Sequence, residues 1–176
     1  MEQDLLKIAE QRSKTHVGHA SQRILSEDYN IVGVSGEFAF GDKFNLKVDD
    51  SIKPSGDKGV DFVLDLTVGE DQRSFTVDVK TARLPYNLLL EVGKPVVDIY
   101  VLADYNNGDS ILLGWEWGVK LSQAPSRDFG YGVINHYISA LDLRPMEELY
   151  ERKEKHGTKS RTTGEADQFG ASEAIH

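Results

Sequence analysis

The sequence predicts an α/β fold, a mixed β-sheet with flanking helices, and three observations carry that expectation. Two neighbouring segments, GVDFVLDLTV (59 to 68) and RSFTVDVKTA (73 to 82), alternate polar and apolar residues on either side of the turn signal GEDQ and read as an antiparallel hairpin. A later run, PVVDIYVLADY (95 to 105), is nearly continuous in β-branched and apolar residues, the pattern of a central strand buried on both faces. Stretches with helical spacing precede and follow these strands, so helices are available to cover the sheet.

In chain order, residues 2 to 13 read as a helix with Leu5, Leu6, Ile8 and Ala9 as its apolar stripe, within a helical N-terminal extension over 1 to 30. His16 and His19 stand three apart, a spacing that could grip a metal on a helix. Gly18 between them weakens a helix there, and with no further Cys or His nearby they read as a surface or DNA-facing pair. SGEFAFGDKFNL (35 to 46) reads as a helix interrupted by Gly41, with Val34, Phe38, Ala39, Phe40 and Phe44 as its apolar residues and Ser35 as N-cap. That cap would set Glu37 at the second helical position, where a carboxylate complements the helix dipole.

Beyond the hairpin, PYNLLLEV (85 to 92) reads as a further strand and NNGD (106 to 109) as a turn. SILLGWEWGVKL (110 to 121) reads as a strand entering a helix; its Trp115 and Trp117 could stack on bases, but Leu112, Leu113 and Val119 beside them favour packing. RDFGYGV (127 to 133) is a glycine-broken aromatic loop without the context of a phosphate-binding motif. PMEELYERKEK (145 to 155) reads as a helix opened by Pro145, and 156 to 176, rich in Gly, Ser, Thr and charge, as a disordered polar tail. The whole is one domain over 1 to 155, a length able to bury one good core.

The hairpin carries the chemistry. With its turn centred between Glu70 and Asp71, Asp61 lies opposite Lys80 and Val63 opposite Asp78, and parity then sorts the side chains. Phe62, Leu64, Leu66, Phe75, Val77 and Val79 share a buried face, and Asp61, Val63, Asp65, Thr67, Thr76, Asp78 and Lys80 share the other. Two carboxylates with Cβ atoms about 5 to 8 Å apart repel unless a cation lies between them. Mg²⁺ takes oxygen ligands and keeps several waters, so Asp61, Asp78 and the carbonyl of Val79 make a half-site that phosphate and water can complete. Lys80 would orient the attacking water and stabilise charge growing on the phosphate. An ordinary charged hairpin face, with Asp and Lys as cross-strand pairs, is the plain alternative; acids outnumber the base here, and GDKG (56 to 59) sets a glycine-flanked loop before Asp61.

The run GDKGVDF, the hairpin and VDVKTAR resemble the core signature of the PD-(D/E)XK nuclease superfamily, the fold of type II restriction enzymes, RecB-type nuclease domains and archaeal junction resolvases. Asp61 matches the first acid of that signature, Asp78 the second, and Lys80 the lysine after one spacer; Val60 stands where the motif has proline. Residues 35 to 46 resemble the helix that carries an additional glutamate in many members, which is Glu37 here. The likeness runs from Gly36 to Lys80 and weakens towards the GW at 114 to 115. It implies a restriction-endonuclease-like core and a Mg²⁺-dependent nuclease, with Mn²⁺ able to substitute. Glu37, Asp61, Asp78 and Lys80 would be catalytic, and a phage or other mobile element would suit a small member.

Composition frames these expectations. A net charge of −9 argues against holding nucleic acid by a broad basic surface, but a cation offsets acidic ligands locally and a few basic residues can still line a groove. Lys43, Lys47, Lys53, Lys58 and Arg83 are the candidates, of which Lys43, Lys58 and Arg83 are the chosen nucleic-acid contacts. With no cysteine, disulfides, thiolate zinc sites and cysteine catalysis are excluded. No apolar run is long enough for a bilayer and MEQDLLKIAE does not read as a secretory signal, so the expected place is the cytoplasm, that of the host for a phage protein. The expected function is hydrolysis of phosphodiester bonds, in DNA as the foremost partner. The rivals are a non-catalytic nucleic-acid-binding or structural protein that keeps the fold, and a small β-rich interaction domain that binds no metal.

Overall fold

A computed structural model describes residues 7, 8, 10, 29–48, 59–130 and 132–153. The expectations for His16, His19, Lys53, Lys58, the polar tail, and all of the first helix but Lys7, Ile8 and Glu10 fall outside these residues. Helix α1 spans Tyr29–Phe44 and is followed by the hairpin β1 (Phe62–Val68) and β2 (Asp71–Ala82). Then come β3 (Asn87–Glu91), β4 (Ile99–Asn106), β5 (Asp109–Trp117) and the short helix α2 (Gly118–Ser122). The strands β6 (Ser126–Asp128) and β7 (Ile134–Ser139) lead into a helix over residues 146–153, α3.

Four strands form one sheet in the order β1-β2-β4-β5. Its outer pairs are antiparallel and the central pair β2 with β4 is parallel, so the sheet is mixed and the protein is α/β as expected. The run Ile99–Ala103 is buried throughout, which fits a central strand covered on both faces. On one face, Phe40 and Phe44 of α1 pack with Phe62, Leu64, Leu66, Val77, Val79, Ile99, Val101, Trp115 and, from α3, Met146 and Leu149. Phe40 stacks on Phe44 with ring centres 4.4 Å apart, and Trp115 donates its indole N–H to Pro145 O at 3.1 Å, so this tryptophan is core. The other face is covered by a three-stranded antiparallel sheet, β3-β7-β6, whose Leu88 and Leu90 pack on Tyr100, Leu102 and Leu121. The crossover between the parallel strands is thus made by a strand, β3, lying over the sheet.

Two local expectations are corrected. Helix α1 begins at Tyr29, not Ser35, so Ser35 is no N-cap and Glu37 lies mid-helix, beyond the first turn where the dipole acts. Ser35 is buried and its Oγ accepts from Ser110 Oγ at 2.9 Å. Gly41 does not interrupt the helix. It lets the returning chain close over it: a Cβ at Gly41 would stand 2.8 Å from Leu46 O. The end is a Schellman motif, with Leu46 N–H donating to Gly41 O, Asn45 N–H donating to Asp42 O, and Asn45 left-handed at φ 50°.

The second correction concerns register. The hairpin turn is two residues, Gly69 and Glu70, with Gly69 at φ 65° in the first central place, which type II′ turns reserve for glycine. Val68 therefore faces Asp71, Phe62 faces Val77, and Val63 faces Thr76 rather than Asp78. One more step along that ladder sets Asp61 against Asp78, not against Lys80. Because the shift is two residues, the sorting of faces survives: Phe62, Leu64, Leu66, Val77 and Val79 are buried in the core, and Val63, Asp65 and Lys80 are exposed on the other side.

Candidate active site

The register creates the site. Asp61 precedes β1 and is tied to the ladder by its own N–H, which donates to Val77 O at 2.8 Å. Its carboxylate crosses to β2, where Oδ2 accepts from Val79 N–H at 2.7 Å. Asp78, one residue earlier on β2, is buried, and its Oδ2 lies 2.6 Å from Lys80 Nζ. The Lys80 side chain is 45% exposed, so the cation reaches solvent while its partner does not. Glu37 comes from α1 and is only 6% exposed. Gly59, at φ 78°, brings the chain ahead of Asp61 against the same carboxylate: a Cβ there would stand 3.3 Å from Asp78 Oδ2.

Charge explains the electrostatics. Burial, and then the negative charges of Glu37 and Asp78, push the Asp61 carboxyl well above the usual carboxylate range; the Val79 N–H and Lys80 only partly offset them. That Glu37 acts on Asp61 means the helix glutamate belongs to the cluster. Burial alone would lower the Lys80 ammonium, but its ion pair with Asp78 and the charge of Asp61 outweigh burial and hold it above the ordinary lysine value. The cluster thus has three acids and one base, a surplus of negative charge in a partly dry setting.

A row of side chains continues across the sheet. Asp78 pairs with Tyr100 on β4 and Tyr100 with Glu116 on β5. The sequence reading missed Tyr100, which is a lone phenol in an aliphatic run and gives only that as a signal. Its ring is 1% exposed, its hydroxyl accepts from Val97 N–H at 3.2 Å, and burial first, then the charge of Asp78, raise its pKa. It walls the site off on the β4 side as a neutral phenol.

The four expected catalytic residues come together, and of the three expected nucleic-acid contacts two are described, each lying against an aromatic ring. Lys43 lies in the last turn of α1 with Nζ 4.9 Å from the centre of the Tyr150 ring. Arg83 follows β2, three residues past Lys80, with its guanidinium 5.1 Å from the Tyr105 ring. Lys58 falls outside the described residues. Val79 turns its side chain into the core, leaving its backbone beside Asp61.

Among the described residues no group of three or more His, Cys, Asp or Glu side chains is gathered closely enough to ligate one ion by itself. Mg²⁺ does not require such a cage; one or two carboxylates, a carbonyl and waters suffice, and that is the donor set of Asp61, Asp78 and Val79. The donors fit a hard cation. Among the described residues, too, no helix is long and apolar enough to cross a membrane. Comparison of the chain with family models, with curated proteins and with solved structures found no match.

Proposed function

We propose that the protein is a Mg²⁺-dependent nuclease that hydrolyses phosphodiester bonds, with DNA as its substrate and a restriction-endonuclease-like core as its frame. The observation that carries this reading is the meeting of Glu37 from a helix, Asp61 from ahead of one strand, and Asp78 and Lys80 from the next. Surface ion pairs rarely recruit a third and fourth charged group to a buried carboxylate, because each further acid costs free energy through repulsion and desolvation. The order of helix, antiparallel hairpin and a parallel neighbour to its second strand supports the same reading.

Asp61 and Asp78, with the Val79 carbonyl, would hold the cation. When bound it lowers the pKa of a coordinated water and offsets charge on the phosphate. Lys80 pairs with Asp78 as long as nothing else balances that carboxylate. With Asp78 engaged by the cation, the Lys80 ammonium, on its half-exposed stem, would be free to serve a water or a phosphate oxygen. Glu37, held in the interior by α1, would orient a water beside Asp61. Lys43 and Arg83 are basic enough to guide a backbone over the site, with affinity that falls steeply with salt.

The test is incubation with linear duplex, circular duplex and single-stranded DNA, each with Mg²⁺, Mn²⁺ or EDTA. Cleavage is expected with either metal and not with EDTA, and Asp78→Asn should abolish it. Lys80→Met should lower the rate by about a hundredfold while leaving binding in Ca²⁺ nearly unchanged, because an interaction that strengthens in the transition state appears in rate and not in affinity. A wild type that binds DNA and cuts none of the three substrates would leave the non-catalytic binder as the better account.

A further inference from the structure

We propose, resting on the metal-dependent reading above, that Gly36 is a positioning residue: lacking a side chain, it lets α1 lie against β2 at Thr81 and so carries Glu37 to Asp61. A Cβ built on Gly36 would stand 1.9 Å from Thr81 Oγ1, 3.0 Å from Thr81 Cβ and 3.2 Å from Thr81 Cγ2. Rotation about χ1 could move the hydroxyl and the methyl, but the Cβ is fixed to the backbone of β2, and threonine is stiff at that torsion. Carbon atoms prefer separations of about 3.5 to 4.0 Å, so any side chain at this position displaces the helix as well as the threonine.

The contact sits one residue from the site on both elements. Gly36 precedes Glu37, and Thr81 follows Lys80. Thr81 Oγ1 also donates to Gly33 O at 3.5 Å, so β2 grips the helix over a full turn. A displacement of α1 at Gly36 therefore withdraws Glu37 from Asp61, and geometry at a reacting centre tolerates little of that: a misplacement of about 1 Å can cost a hundredfold in rate. Gly33 supplies an internal control. It lies one turn away in the same helix, and a Cβ built there meets nothing within 4 Å. If glycine served only to make the helix pliable, the two positions would be equivalent; if close approach matters, only Gly36 is restricted.

The experiment measures kcat and KM for DNA cleavage with Mg²⁺, on variants shown to be folded by circular dichroism. Gly36→Ala should lower kcat at least tenfold with KM within twofold, and Gly33→Ala should leave both unchanged. Thr81→Ala, which removes the two outer atoms, should restore at least threefold of the loss in Gly36→Ala. In a Glu37→Gln background Gly36→Ala should cost less than a further twofold, because the group it positions is already gone. A wild-type kcat in Gly36→Ala, a full additional loss in the Glu37→Gln background, or no restoration by Thr81→Ala would each overturn the proposal. Should Gly36→Ala fail to fold, Thr81→Val, which sets a larger methyl where the hydroxyl met Gly36, takes its place in the same cycle.

A wild type that cuts nothing would overturn the nuclease reading instead, and the thermal shift with Mn²⁺ alone then decides the positioning. Glu37 adds its negative charge to that at Asp61, which a cation relieves, so Gly36→Ala should show a smaller shift than the wild type, while an equal shift, or none in the wild type, would overturn it.

Discussion

Asp61 shows how one side chain connects register, charge and chemistry. Its backbone N–H is fixed by Val77 and its carboxylate by Val79, so it cannot swing away from Glu37 and Asp78, whose charges, after burial, hold its pKa high. An acid with a raised folded pKa keeps a proton that the unfolded chain has lost. In the window between the ordinary carboxylate value and the raised one, the folded state binds more protons, so stability falls as pH rises. Asp61→Asn cannot ionise, and its amide oxygen can still accept from Val79. The melting temperature of the wild type in EDTA should therefore fall more steeply from pH 4 upward than that of Asp61→Asn, and Mn²⁺ should reverse the order at pH 7. Parallel curves would mean that Asp61 is not under the strain of its neighbours. Asp61, Asp78 and Lys80 were legible in the sequence, because alternation along the two strands assigns their face and a two-residue change of register preserves it, whereas Glu37 on α1 was reached only through the resemblance. Which acid faces which was not legible, since that depends on whether Gly69 and Glu70 alone make the turn.

Elements were legible where one physical signal dominates. The aliphatic run ending at Asn106, the left-handed Asn107 and Gly108 of the turn, and the strand from Asp109 that passes into a helix at Gly118 all form as their residues dictate. The start of α1 was hidden, because Ser35 has the chemistry of a cap and yet spends its hydroxyl on Ser110 across the core. The strand β7 was hidden too. INHYIS carries only partial alternation; β6 just before it is only three residues long, and its longer partner, β3, lies far off in sequence, so tertiary context decides it. The turn of the first hairpin lends itself to a test. Gly69→Ala forces an L side chain to φ 65° and should destabilise the protein by about 1 kcal/mol in urea unfolding. Nothing lies within 4 Å of a Cβ there, so the cost is one of backbone conformation alone, and a D-alanine introduced by ligation should remove it. An unchanged midpoint for the L-alanine variant would show that the turn relaxes to another type, with the register free to shift.

At the scale of the whole molecule, one mixed sheet is closed on one face by α1 and α3 and on the other by a small sheet. The row from Asp61 through Asp78 and Tyr100 to Glu116 crosses it, charged at both ends. The two ends of that row are built oppositely. The Asp61 end gathers acids and has one lysine to balance them; the Glu116 end has one fully buried carboxylate and a surplus of donors. Glu116 accepts from Lys120 Nζ at 2.5 Å, from Arg144 Nε at 3.2 Å and from Trp117 N–H at 2.9 Å. Arg144 also bonds Glu148, and its backbone pairs with Trp115 in both directions, so this network ties α3 to the edge strand β5. Burial alone would raise the Glu116 carboxyl, but these donors and charges outweigh it and hold it below the ordinary glutamate value. The sign is then the reverse of that at Asp61. The unfolded chain takes up the proton first, so the stabilisation is present above the ordinary glutamate value and is lost as pH falls through the lowered one. Glu116→Gln keeps an acceptor but turns an amide N–H₂ towards cationic donors. It should cost about 1 to 3 kcal/mol at pH 7, within the range for losing a charged partner in a buried network. Urea unfolding from pH 7 down to pH 3 should show the gap between wild type and Glu116→Gln narrowing as pH falls through about 4.3, the midpoint of glutamate protonation in the unfolded state. Cleavage by Glu116→Gln should remain at the wild-type rate at pH 7 and low temperature, because the network holds the far edge of the sheet and not the reacting groups. A gap that stays constant with pH would show that the ion pairs at Glu116 do not carry the stability of this edge.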